Sequence, residues 1–332
     1  MITPPLYFGL NSNLEFYSSD NQAGRAAIVV LAHRASFSAI QSFCSIMSTK
    51  HKVLQDCHTD IILLVPYGNP HFPQADTQGR PNTEIWSGIR IITYPENAIT
   101  LPEYNHQYMT VYVVSRAQHV VYMDSSKYVQ DNIDHILMVA HNLYVSSCED
   151  LPVPALFSPL LLGKDFCNLL IEKFENSPHS AGTIASIGPD GSPILRMDDK
   201  KKHRSDFLLP ASSKLAEVLT SLLAARCVPE IRKAFQFEPE SIDRILIARY
   251  DETGGYFRRH RDNNAPQTEF RKFALSVNLN DDFEGGELFF PEYNDKLYKA
   301  EAGSGIIFSA SALHEASPVK RGRRYCLLTF FA

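Results

Sequence analysis

The stretch "RYDETGGYFRRHRDN", Arg249 to Asn263, carries a His-x-Asp triplet, His260-Arg261-Asp262, behind a double glycine and a run of arginines. On a strand, residues i and i+2 point to the same face. His260 and Asp262 then share one face and Arg261 takes the other. That arrangement suits half of a metal site, or an ordinary polar strand end. A second such triplet, His58-Thr59-Asp60, stands in the first half of the chain. The triplet alone decides nothing.

The residues downstream of each triplet separate the two. "SALHEASPVKRGRRY" offers His314 and, ten residues further, Arg324. The competing set has the same spacing: His58 and Asp60 are followed by His106 and, ten residues on, Arg116. However, "HQYMTVYVVSR" reads as one unbroken strand. Ten residues of strand span about 33 Å at roughly 3.3 Å each. His106 and Arg116 would stand too far apart to grip the two ends of one small diacid. Between His314 and Arg324 the chain is broken by Pro318 and Gly322, so it turns back and brings Arg324 onto a neighbouring strand. A guanidinium there suits a carboxylate, because its fork gives two parallel hydrogen bonds. Two His and one carboxylate on one face, with positions left open, is a ligand set of non-haem iron(II). The candidate ligands are therefore His260, Asp262 and His314.

Composition sets the surroundings. The chain has 332 residues, enough for about two domains. With 44% hydrophobic and 21% charged residues it reads as an ordinary globular protein. A formal charge of −5 argues against a general nucleic-acid binder, whose affinity rests on clustered Lys and Arg. No run of about 18 apolar residues suggests a membrane span. The start, "MITPPLYFGLNSNLEF", lacks the basic-then-apolar pattern of a signal peptide. The six cysteines are scattered and form no CxxC pair, which reads as free thiols in a reducing cytoplasm.

Along residues 1–147, strand and helix signals alternate. "AAIVVLAH" and "DIILLVPY" are continuous apolar runs, as in strands buried on both faces, and "GIRIITYP" is a third candidate. "FSAIQSFCSIMSTKHKVL" has helical spacing, "MTVYVVSRAQHVVYMD" reads as a hairpin, and "YVQDNIDHILMVAHNL" as an amphipathic helix. That order resembles the thioredoxin and peroxiredoxin fold. Thioredoxin chemistry needs a thiolate at the start of the first helix. Here that corner reads "HRASFSAIQ", with no cysteine, so a domain without redox cysteines is expected. Residues 148–163 carry three prolines and read as a connector. In 164–332 the helical stretches "KDFCNLLIEKFENS" and "ASSKLAEVLTSLLAARCVPEIRKAF" precede short strands and glycine turns, and the second is one long helix or two split near Pro229. Helices followed by many short strands suggest a jelly roll with helices packed outside.

From about Ile242 to the end, the sequence resembles the iron(II)/2-oxoglutarate-dependent oxygenases, in their prolyl 4-hydroxylase-like branch. The matching elements are "RYDETGGYFRRHRDN", "LSVNLNDDFEGGELFFPE" and "AGSGIIFSASALHEASPVKRGRRYCLLTFF", with a helical lead-in from Leu156. The resemblance implies a double-stranded β-helix (jelly roll) in which His260, Asp262 and His314 ligate Fe(II). It implies that Arg324 binds the far carboxylate of 2-oxoglutarate and that Tyr250 hydrogen-bonds the same cosubstrate. Many relatives carry Ser two residues after this Arg; here the position is Cys326, and a thiol is a poorer partner. "FEGGELFFP" would be a hairpin supporting the iron-side strands.

The implied reaction consumes O2 and 2-oxoglutarate, releases succinate and CO2, and hydroxylates an unactivated C–H, with ascorbate as an optional addition. Relatives that halogenate replace the carboxylate ligand with Gly or Ala, so Asp262 favours hydroxylation. Nucleic-acid demethylases of this superfamily add a second Arg at the position held here by Phe330, so no nucleic-acid partner is expected. Three functions follow for the chain. One is hydroxylation of a peptide or protein side chain, prolyl being the best-known target, with the N-terminal domain recognising the partner. The second is hydroxylation of a free amino acid or small natural-product intermediate. The third is a binding or redox module with an inactive barrel. Arg249, Arg258, Arg259, Arg261 and Arg271-Lys272 form a basic segment that either receives an acidic substrate or lies on a solvated face.

Overall fold

The computed structural model describes residues 8–10, 16–32, 35–66, 86–94, 108–127, 129–146, 151–187, 193–196 and 202–332. Contacts group the chain into two compact units. One is Met1–Leu151 with Pro291–Asn294, and the other is Pro152–Phe290 with Asp295–Ala332.

In the first unit the apolar runs become a sheet. Its strands are β1 (Ala26–Leu31), β2 (Thr59–Pro66), β3 (Ile89–Tyr94), β4 (Thr110–Val114) and β5 (Val120–Asp124). The order is β3-β2-β1-β4-β5, with the short pair Phe8–Leu10 and Phe16–Ser18 beyond β3. β1 runs parallel to β2 and antiparallel to β4, and β2 runs parallel to β3. Helix α1 (Phe37–Asp56) joins β1 to β2, as a parallel pair requires. Ser36 caps it, its hydroxyl accepting from the Ala39 amide. Ile40, Phe43, Met47 and Leu54 form its buried stripe and pack on Ile28, Val30, Ile61 and Leu63, together with Ile136 and Ala140 of helix α2 (Ile133–Ser146). The opposite face of the same strands buries Val29, Leu31, Ile62, Leu64 and Tyr112. Two covered faces explain why these strands read as unbroken apolar runs rather than alternating ones.

The second unit holds β6 (Ala155–Ser158), helix α3 (Lys164–Glu175), β7 (Ser205–Leu208) and helix α4 (Lys214–Phe235). Then come β8 (Leu246–Tyr250), β9 (Tyr256–His260), β10 (Phe273–Asn278), β11 (Gly305–Ser309), β12 (His314–Ala316) and β13 (Arg324–Phe331). A larger sheet runs β6-β11-β10-β13-β8-β7 and ends on Ser180–Ala181. A smaller one runs from Lys202–His203 through β9 and β12 to Leu288–Phe289 and Leu297–Tyr298. Every pairing in both is antiparallel. This is a mixed α/β architecture with the sheets of a jelly roll. Odd-numbered Ile247, Leu275, Val277 and Leu327 face α3 and α4, meeting Leu170, Phe174, Leu219, Leu223 and Ile231. Even-numbered Leu246, Ala248, Tyr250 and Cys326 face inward and meet Ala316 and Val319 of the smaller sheet's side. The strand period of two thus splits one sequence into a helix-facing half and a cavity-facing half.

One boundary differs from the sequence reading, and of the two alternatives at Pro229 the single long helix is the one found. Residues 155–158 lie inside the stretch read as a connector, yet β6 is an edge strand paired with β11. Its prolines, Pro152, Pro154 and Pro159, flank the strand instead of interrupting it, as edge strands tolerate. Residues 147–150 lie outside the described set. Helix α4 runs unbroken through Pro229, with Cys227 and Ile231 buried on either side of it. Packing of that face outweighs the one backbone bond that proline removes.

Gly285 sits at φ +78°, and a Cβ there would fall onto the Pro318 carbonyl oxygen. Gly285→Ala combines left-handed strain with a backbone clash, so it is expected to destabilise the second unit by about 2 kcal/mol or more. Urea unfolding, with tryptophan-independent far-ultraviolet dichroism as the probe, measures this. A midpoint equal to wild type would show that the strand Glu284–Gly285 relaxes freely.

Candidate active site

β9 and β12 pair so that His260 and His314 are direct cross-strand partners. Their ring centroids lie 4.2 Å apart. Just past β9, the Asp262 amide donates to the Ala310 carbonyl at 2.9 Å, which ties the end of the opening stretch to the turn before His314. The Asp262 carboxylate then faces both rings: Oδ1 is 3.5 Å from His260 Nε2, and Oδ2 is 3.5 Å from His314 Nε2. One ligand atom from each residue lies within 4.8 Å of the others. No other group of this kind occurs among the described residues.

The backbone sets which ring nitrogen carries the proton. His260 Nδ1 lies 2.8 Å from the Arg258 carbonyl and His314 Nδ1 lies 3.0 Å from the Ala312 carbonyl. A carbonyl only accepts, so each Nδ1 donates, and in the neutral ring Nε2 is the nitrogen left with a lone pair. Burial, with the charge of His314, holds His260 down to about 4 despite Asp262. Burial pushes Asp262 up, but His314, His260 and Arg271 outweigh it and bring it down to about 2. Near neutral pH, His260 is then neutral and Asp262 ionised. With both rings neutral, two imidazole lone pairs and a carboxylate converge, a donor set that fits a divalent cation such as iron(II). Phe257 stacks on His260, and Phe308 meets His314 edge-on at 4.6 Å, so aromatic rings flank both imidazoles.

Arg324 and Tyr250 are register partners on β13 and β8, and the guanidinium carbon stands 5.3 Å from the tyrosine ring centre. Both are buried. Arg324 Nε donates to Asn278 Oδ1 at 2.9 Å and Nη2 donates to Ser276 Oγ at 3.0 Å. Its Nη1 has no hydrogen-bond partner among the described residues. Cys326 points to the same face, buried among Leu246, Ala248, Ala316 and Val319. The hydroxyl beside the guanidinium comes from Ser276 on the adjacent strand instead. Ser276 and Asn278 were missed in the sequence reading, although two polar residues at i and i+2 in the apolar run "FALSVNLN" are the signal for an inward polar face. Arg204, which donates to the Tyr250 hydroxyl, carried no such signal because it lies between two short strands, Lys202–His203 and Ser205–Leu208, and belongs to neither.

The arginines of the opening stretch are mostly committed locally. Arg249 pairs with Glu175 and Asp251, Arg259 with Glu315, and Arg271 with Asp243. Arg261 donates to the Ser311 carbonyl and Arg258 lies over the Tyr256 ring. This favours a solvated, internally paired face over a receptor for acidic substrates. "FEGGELFFP" does not fold on itself: Glu284–Gly285 pairs with Val319–Arg321 and Leu288–Phe289 pairs with β12. It still supports the strand that carries His314. In the competing set, Asp60 is held by Arg25 at 2.8 Å and by Gln22, while His58 stacks on Tyr144. His106 lies outside the described residues.

With this geometry in hand, comparison with known proteins adds the family. Residues 245–332 match the model of the 2OG-Fe(II) oxygenase superfamily. A PKHD-type hydroxylase of Gloeothece citriformis is 34% identical over 91 residues, covering 26% of this chain and 41% of that protein. Another, of Picosynechococcus sp., is 24% identical over 52% of this chain and 73% of its own length. The chain thus spans from under half to about three quarters of these relatives. Among solved structures, a Pseudomonas putida prolyl-4-hydroxylase aligns with a TM-score of 0.41 at 16% identity, over 54% of this chain and 92% of that one. Over residues 245–332, then, this chain is similar to the 2OG-Fe(II) oxygenase superfamily.

Proposed function

We propose that the chain is an Fe(II)- and 2-oxoglutarate-dependent dioxygenase that hydroxylates an unactivated C–H of a peptide or protein side chain, prolyl-like, releasing succinate and CO2. The observation that carries this reading is the convergence of His260, Asp262 and His314 within 4.8 Å, in a unit whose larger sheet holds a buried arginine, Arg324. His260 and His314 hold the metal through Nε2 and Asp262 through its carboxylate. Bound iron(II), with 2-oxoglutarate and O2, supplies the oxidising power that protein side chains lack. Arg324 pairs with the far carboxylate of the cosubstrate, using the guanidinium edge that Asn278 and Ser276 hold in place. Tyr250 donates its hydroxyl proton to the same ligand. Phe257 and Phe308 keep water from the metal side of the pocket. Asp262, as a carboxylate, favours hydroxylation. The similarity to PKHD-type hydroxylases supports hydroxylation as the class of reaction. Ascorbate would act as an auxiliary reductant.

The first unit is, in this reading, a thioredoxin-like domain that recognises the partner and has no redox role. The order β2-β1-β4-β5 with one parallel and two antiparallel pairings supports the fold. Cys44 lies well inside α1, and burial pushes its thiol up to about 12, where it is no nucleophile. The boundaries 1–147, 148–163 and 164–332 remain the proposed division, with 155–158 reassigned to the catalytic unit. Five buried free thiols and the absence of a helix long and apolar enough to cross a membrane, among the described residues, support a cytoplasmic setting.

Succinate formation tests the central reading. Wild-type protein with Fe(II), 2-oxoglutarate and a panel of proline-bearing peptides and free amino acids should yield succinate, and His314→Ala should lose about a hundredfold or more. Equal yields from both proteins would remove the proposed metal site. A chelator should abolish the wild-type signal and added Fe(II) should restore it; a chelator-resistant signal would exclude bound metal as its source. Arg324→Gln removes a charge-assisted pair and should raise the KM for 2-oxoglutarate about ten- to a hundredfold. An unchanged KM would move the cosubstrate elsewhere.

A further inference from the structure

A second group of buried charge lies beside Tyr250. The side chains of Lys202, Arg204 and Asp206 are 3%, 6% and 17% exposed. Arg204 spans Asp206 with two bonds, Nε to Oδ1 at 2.5 Å and Nη2 to Oδ2 at 3.1 Å. Its remaining arm, Nη1, donates to the Tyr250 hydroxyl oxygen at 3.0 Å. Lys202 Nζ donates to Asp206 Oδ2 and to the Thr183 carbonyl, each at 2.9 Å. Gly182 leaves room for this pair: a Cβ there would come within 2.6 Å of Lys202 Nζ and 2.7 Å of Asp206 Oδ2. Burial and Arg204 bring Lys202 down to about 7, whereas Arg204 and Asp206 stay ionised, and burying that ion pair has a desolvation cost that an apolar cluster would avoid. The arrangement therefore calls for a role beyond packing.

The direction of one hydrogen bond supplies it. A phenol has one proton to give and two lone pairs to receive with, whereas a guanidinium only gives. Between Arg204 and Tyr250, Arg204 must be the donor. The Tyr250 proton is then unspent, and no described residue accepts it. Burial raises the Tyr250 phenol, with Arg204 and Arg324 working against that, so the proton stays on the oxygen while the cations polarise it. Burial also opposes the charge on Arg204, but Asp206 and Tyr250 more than offset it, and the guanidinium stays charged. Tyr250 is the register partner of Arg324, so the reserved proton and the free Nη1 lie on adjacent strands of one inner face.

We propose that Arg204 is a positioning residue: by donating to the Tyr250 oxygen it reserves the phenol proton for 2-oxoglutarate, and Asp206 with Lys202 holds Arg204 in that geometry. This rests on the cosubstrate reading above. Nothing in the order of the short strands around Arg204 pointed to it; the role follows from the bond directions alone.

Calorimetric binding of 2-oxoglutarate to the Mn(II)-loaded full chain tests it without turnover. Tyr250→Phe and Arg204→Gln should each weaken binding about tenfold, and the double variant also about tenfold, since either change removes the same directed proton. With Fe(II) and O2, the KM for 2-oxoglutarate should rise about tenfold in Arg204→Gln while kcat falls less. If Arg204→Gln does not fold, Arg204→Lys keeps the charge against Asp206 but loses the fork that reaches Tyr250, and it should show the same loss. Wild-type affinity in the Arg204 variants overturns the proposal, as do losses that multiply to about a hundredfold. If wild-type protein takes up no 2-oxoglutarate, the cosubstrate reading fails and the positioning role fails with it. Uptake by wild type with indifferent Arg204 variants overturns the positioning role alone.

Discussion

Two imidazole nitrogens and a carboxylate, all acceptors, face one another within 4.8 Å in the second unit. Left to themselves, three such groups repel or recruit protons. Here each histidine proton is already committed to a carbonyl on the far side of the ring. The electron-rich gap is therefore built into the fold, and a cation is the natural way to satisfy it. Much of the architecture of the second unit serves to hold these three residues in register. β9 and β12 must pair at His260 and His314, and Asp262 must be anchored to Ala310. The larger sheet, for its part, holds a buried guanidinium beside Tyr250.

The larger sheet shows how one strand serves two masters. β10 and β13 turn Leu275, Val277 and Leu327 to the helices, and a fully buried side chain of that size stabilises by about 1.5–3 kcal/mol. The intervening positions, Ser276, Asn278 and Arg324, turn inward and bond one another. A slip of one residue would exchange the two sets and bury a guanidinium under the helices. The apolar half of each strand thus guarantees the placement of its polar half.

How far this was legible in sequence depends on how far each contact reaches along the chain. The pair His260 and Asp262 was readable because its two residues lie two apart where β9 ends, His260 its last residue and Asp262 just beyond it. His314 and Arg324 followed from a break at Pro318 and Gly322 that let the chain return. The apolar strands and helices of the first unit stood out because both faces of its sheet are covered. What stayed hidden depends on neighbours distant in sequence. Ser276 takes the place beside Arg324 for which Cys326 was the local candidate, because the cross-strand neighbour is closer than the residue two further along. Arg204 reaches Tyr250 across 46 positions of sequence, from a junction between two strands too short to show any period. β6 was read as a connector because its flanking prolines speak louder than four weakly patterned residues. The arginines of the opening stretch looked like a basic patch until their carboxylate partners, most of them remote in sequence, were in view.

The two ring protons are held in the same way, each by the carbonyl two residues earlier, Arg258 for His260 and Ala312 for His314. Every amino acid carries that carbonyl. Positions 258 and 312 can therefore drift in side-chain identity without releasing the rings, provided the strand path is kept. A side-chain partner in that role would expose the tautomer to loss by a single codon change. Here the choice of donating nitrogen is inherited with the backbone.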